Sequence, residues 1–88
     1  MSRRPSPASA AIECLLRDKR IAAEALLIER LQRGAAQGEL AANTDPAVLG
    51  KFINTVMEGM SVQARDGATI NELLSIVKMA LDRWPAAI

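Results

Sequence analysis

The chain has no histidine and no tyrosine, a single cysteine at Cys14, and only Phe52 and Trp84 as aromatics. Without histidine or tyrosine, the commonest general bases and most metal sites are removed. Ser61 and Ser75 lack the basic partner that would make either a nucleophile. One cysteine allows no intrachain disulfide and no CxxC pair, so a reducing compartment is the expectation. The longest apolar run falls far short of the roughly 20 residues a membrane span needs. Arg3 and Arg4 are not followed by the hydrophobic run of an export signal. Charge of one sign is scarce as well: 11 Lys and Arg stand against 10 Asp and Glu, interspersed, for a formal charge of +1. A nucleic-acid footprint normally shows a basic face, and none is evident beyond Arg3 and Arg4, which read as a solvated terminus or a minor phosphate contact. These absences predict a cytoplasmic protein that is not an enzyme, has no catalytic or metal site, uses no cofactor and does not enter a membrane.

What is present is aliphatic. Half of the 88 residues are apolar, and with so few aromatics the core must come from Leu, Ile, Val, Met and Ala, a mixture that favours close-packed helices over strands. There is room for one domain, and a domain this small hides little of its surface. The expected fold is all-α, with three helices in a single domain: a flexible start over residues 1–8, then a helical region over 9–85.

The first helix is expected over about residues 7–37. Ser6 before Pro7 is the leading cap, with Ser9 as a second candidate, and Gly38 supplies the stop. Gly34 weakens this helix without ending it. Ile12, Leu15 and Leu16 point almost opposite to Ile21, Ala25, Ile28 and Ala35, so either one helix meets two partners or the chain breaks near Lys19 and Arg20. Those two are good helix formers, which favours a single helix. Asp18, Glu24 and Glu29 fall among Arg17, Arg20, Arg30 and Arg33 and read as a salt-bridged solvent face. Cys14 reads as a small packed hydrophobe, with a redox role as the alternative.

An antiparallel hairpin follows, over about 46–66 and 70–84. Asp45 and Pro46 start its first helix. Leu49, Phe52, Ile53, Val56, Met57, Met60 and Ala64 recur at three- and four-residue steps on that helix. Thr69 and Glu72 form a capping box for its second helix, along which Ile70, Leu73, Leu74, Val77, Leu81 and Trp84 make a stripe that Ile76 and Ala80 widen. Pro85 stops it. Met57, Met60 and Met79 are core residues or the lining of an adaptable pocket. Gly59, beside the stripe, either lets another helix approach or is a harmless surface glycine. A two-helix hairpin covers only one side of each stripe, and a contiguous exposed patch of this size is unusual in a monomer. Two hairpins paired about a two-fold axis make a four-helix bundle, so a homodimer is the expectation.

The run Gly38-Glu39-Leu40, then Asp45-Pro46, then Gly59-Met60-Ser61-Val62-Gln63-Ala64-Arg65-Asp66-Gly67-Ala68, then Leu81-Asp82-Arg83-Trp84-Pro85, resembles the end of many TetR/AcrR-type bacterial transcriptional regulators. The resemblance covers roughly residues 21–85, and the order and spacing of these pieces carry it. It implies a repressor's C-terminal part, dimerising through its last two helices and sensing a small apolar effector. The residues it carries to the dimer interface are Phe52, Val56, Met60, Gln63 and Ala64, with Leu73, Ile76, Val77, Ala80, Leu81 and Trp84. Ile28, Ile53 and Met57 are the candidate effector pocket. The family's amino-terminal helix-turn-helix has no counterpart here, so DNA would be reached only through that missing domain. The competing expectation is a stand-alone helical interaction module, of the small adaptor or antitoxin kind, whose stripe binds a different protein.

Overall fold

The computed structural model describes residues 6–87, which form three helices, α1 (Pro7–Ala36), α2 (Pro46–Arg65) and α3 (Ile70–Asp82). The described residues contain no strand, only an isolated antiparallel bridge between Leu40 and Ala86. The fold is all-α. Most of the expected flexible start, residues 1–5, lies outside the described residues; Pro7 and Ala8 already belong to α1.

Each helix begins on a residue whose side chain takes up an orphan amide. The Ser6 hydroxyl accepts the Ser9 amide at 3.1 Å, so Ser9 is the partner of the cap and not a cap itself. Asp45 Oδ1 accepts the Ala47 amide at 2.9 Å ahead of Pro46 in the first turn. At α3 the capping box closes in both directions: the Thr69 amide donates to Glu72 Oε1 at 2.9 Å, and the Glu72 amide donates to the Thr69 hydroxyl at 3.1 Å. Two of the helix ends are equally explicit. At Gly38 (φ 78°) and Gly67 (φ 97°) the chain turns left-handed, where only glycine is unstrained. The next amides then reach back, Glu39 to the Gly34 carbonyl at 2.9 Å and Ala68 to the Gln63 carbonyl at 2.9 Å, satisfying carbonyls the helix leaves open.

The expected boundaries hold for α1 and α2 to within a residue. At α3 they need a correction: it ends at Asp82, not Trp84. Pro85 disfavours helical backbone at the residue before it, and the Arg83 and Trp84 amides bond the Ala80 and Leu81 carbonyls in a tightened last turn. Trp84 therefore stands beyond the helix, in the turn that redirects the chain.

α1 is one unbroken helix through Lys19 and Arg20. It runs antiparallel to α2: Ile28 lies against Gly50, Glu24 against Lys51 and Asn54, and Arg20 against Glu58. The start of α2 in turn lies beside the end of α3, with Val48, Leu49 and Phe52 sharing a hollow with Arg83 and Pro85. α2 is thus the middle of three helices, and α1 and α3 do not meet. The Cα atoms extend over 52 × 29 × 16 Å, with α2 flanked by the other two helices. Among the described residues, Leu31 and Leu40 are the only buried apolar side chains.

The two faces expected on α1 have different fates. Its C-terminal half finds α2, while residues 11–23 are exposed throughout, with Ile12, Leu15, Leu16 and Ile21 uncovered. Cys14 shares this exposure, so it is not packed as a small hydrophobe: no element lies over that part of α1.

Candidate functional site

The seam between α2 and α3 gathers most of the residues singled out from sequence. Phe52, Ile53, Val56, Met57 and Met60 of α2 face Val77, Ala80 and Leu81 of α3 and Trp84 beyond it, around an open hollow of about 210 Å³. A second hollow shares Phe52, Val56 and Ala80 with the first and adds Ser75, Ile76, Met79 and Arg83. The four-residue link 66–69 brings the helices side by side, yet their backbones come close at few points. α3 consequently buries none of its residues. Leu81 is 63% exposed and Met79 71%.

The predicted interface residues divide as follows. Phe52, Val56, Met60, Val77, Ala80, Leu81 and Trp84 line the first hollow, Ile76 the second, and Leu73 is half-buried beside them. Gln63 and Ala64 sit exposed in the last turn of α2, where their carbonyls accept the amides of the Gly67 turn. The predicted effector pocket is not assembled as expected. Ile53 and Met57 lie in the same hollow as the interface residues, whereas Ile28 is held on α1 against Gly50, away from it.

Gly50 was overlooked in the sequence. A Cβ built there would come within 2.5 Å of Ile28 Cγ1, so α1 and α2 can touch only because this position has no side chain. An isolated glycine inside a helix, costing about 1 kcal/mol, is the available signal for such a close approach. Around Gly59, by contrast, nothing lies within 4 Å.

Beside Gly50 the seam is polar. Lys51 Nζ stands 2.8 Å from Glu24 Oε2, Asn54 Nδ2 donates to Glu24 Oε1 at 2.9 Å and to Glu58 Oε1 at 3.3 Å, and Arg20 faces Glu58 at 3.8 Å. The Glu24 carboxylate is held below its ordinary pKa by the hydrogen bond from Lys51 and then that from Asn54, and Lys51 is pushed up by the same bond. Glu72 is likewise lowered, by the Thr69 amide first and its hydroxyl second. The salt-bridged face expected along α1 is therefore not internal to that helix. Glu24 and Arg20 reach α2, and Arg30 reaches Glu39 in the following loop at 3.5 Å.

The described residues hold no group of three or more His, Cys, Asp or Glu placed for a metal ion. No helix among them is long and apolar enough to cross a membrane. What the arrangement offers is apolar contact area on α2 and α3, backed by the polar contacts between α1 and α2.

Compared with known proteins, nearly the whole chain is similar to part of a transcriptional repressor. That relative is the HTH-type transcriptional repressor ComR of Escherichia coli (strain K12), 34% identical over 80 residues, an alignment that takes in 91% of this chain and 38% of the repressor. The chain thus spans well under half the length of the curated relative it matches. No family model matches it, and no solved structure matches it.

Proposed function

We propose that this chain is the dimer-forming and ligand-sensing C-terminal part of a TetR-type transcriptional regulator, acting in the cytoplasm as a homodimer and not as an enzyme. The observation that carries this reading is the uncovered apolar face of α3. Stable domains pack at least two layers around a shared core, and here α3 buries no residue while Ile70, Leu74 and Leu81 are each more than half exposed. A second copy laid over α2 and α3 covers that face and completes a four-helix bundle, with each face covering its own copy. The similarity to a transcriptional repressor supports the regulatory role.

In this reading Phe52, Val56, Met60, Val77 and Leu81 form the centre of the dimer seam. Any small apolar effector is limited to the Ile53 and Met57 side of the hollow, without Ile28. Sequence-specific contact with DNA belongs to a helix-turn-helix outside these three helices.

Light scattering coupled to size exclusion tests the proposal. A tight symmetric homodimer at micromolar concentration is the expected result. A monomer or aggregate that becomes soluble and ordered only with a different polypeptide would overturn it in favour of an interaction module.

A further inference from the structure

After α3 the chain turns back onto the loop between α1 and α2. The Ala86 amide bonds the Trp84 carbonyl at 2.9 Å, closing a tight turn. The Ala41 amide then donates to the Pro85 carbonyl at 2.8 Å, and the Ala87 amide to the Glu39 carbonyl at 3.2 Å, the two bonds flanking the Leu40 and Ala86 bridge. Leu40 beneath them is 7% exposed. Trp84 lines the hollow between α2 and α3 and also a separate one walled by Leu31, Gly34 and Leu40, and it is the one residue common to both.

We propose that residues 84–87 are a latch that sets where α3 stands, coupled through Trp84 to the second copy that covers the hollow between α2 and α3. The start of α3 is otherwise held by the Gly67 turn and the Thr69 capping box. Along its length α3 meets α2 sparsely and α1 not at all. With the tail bonded to 39–41, the far end of α3 is pinned to the close-packed half of the molecule. If the tail opens, the face that α2 and α3 offer together changes shape. This coupling to the interface rests on the dimer reading, whereas the latch itself does not.

Two variants test it: Ala87→Pro, which removes the donor to Glu39 without altering the hollow, and a chain ending at Trp84. Readouts are the exchange rate of the Ala41 amide, the emission of the lone tryptophan, far-ultraviolet dichroism and the dimer dissociation constant. We expect the Ala41 amide to be protected in the wild type and to exchange at least tenfold faster in the shortened chain. Trp84 emission should shift to the red, the helical signal should persist, and the dimer should weaken about tenfold, with Ala87→Pro in between. An Ala41 amide exchanging freely in the wild type, or unchanged exchange and emission in both variants, overturns the latch. A wild-type monomer overturns the dimer reading, and exchange and emission still judge the latch. A dimer whose affinity ignores the tail, while exchange and emission respond, overturns only the coupling.

Discussion

Toward α1 the middle helix presents a glycine, a lysine and an asparagine; toward α3 it presents phenylalanine, valine and methionine. The first seam is closed and the second stands open. The difference lies in how near the backbones come. At Gly50 the axis of α2 can approach until Ile28 fills the space a side chain would occupy, and the polar groups alongside find partners across the gap at hydrogen-bond distance. Between α2 and α3 the backbones come close at few points, and the large side chains of both line open hollows with their surfaces in view. Apolarity alone does not close a seam between two helices, and the proposed second copy is what would cover this one.

The largest expected effect comes from charging the open seam. Leu81→Glu places a carboxylate at the centre of the proposed bundle, and the dimer should weaken about hundredfold or more, as loss of a central interface anchor does. Sedimentation equilibrium reads this directly, and an unchanged molar mass would mean that another face carries the association. Next in size is the closed seam: Gly50→Val must push α1 off α2, at a cost of about 2 kcal/mol, measured by urea unfolding. A stability equal to the wild type would show that the close approach is dispensable. Asp45→Ala removes the acceptor for the Ala47 amide and should cost about 1 kcal/mol while leaving the dimer's mass unaltered.

The smallest effect is the pH response of the polar clamp. Glu24 is lowered in the folded chain from an ordinary value of 4.5. Its contribution is therefore complete above that value and is lost as the pH falls through the lower, folded-state pKa. Lys51, raised from 10.5, contributes below that value and ceases to do so as the pH climbs past its own folded-state pKa. Stability should be flat between the two, and Glu24→Gln should flatten the acid limb. An acid limb of the same slope in that variant would assign the loss to Glu72, whose carboxylate is also lowered.

The helices were legible because their ends are written in local chemistry. Ser6, Asp45 and the Thr69 and Glu72 pair each act within four residues of themselves, as do the turns at Gly38 and Gly67. The members of the open seam were legible too, because apolar spacing along α2 and α3 marks one face of each. What periodicity could not reveal is which face meets which neighbour. Ile28 carries the same apolar signal as Ile53 and Met57, yet α1 docks at Gly50 and holds Ile28 there, outside the hollow that the other two line. Nor could the partners of Glu24 and Arg20 be read along α1, since charges four residues apart on one helix look paired until another helix arrives. The tail's return to Leu40 depends on a meeting of residues more than forty positions apart, and no local pattern records it.

A fold with so little interior of its own has a thermodynamic consequence. If what covers it is another copy, becoming ordered and finding a companion are one equilibrium, and its position depends on how many copies share the volume. Each tenfold dilution then withdraws about 1.4 kcal/mol from the ordered state, so the temperature at which the chain melts is set partly by its abundance.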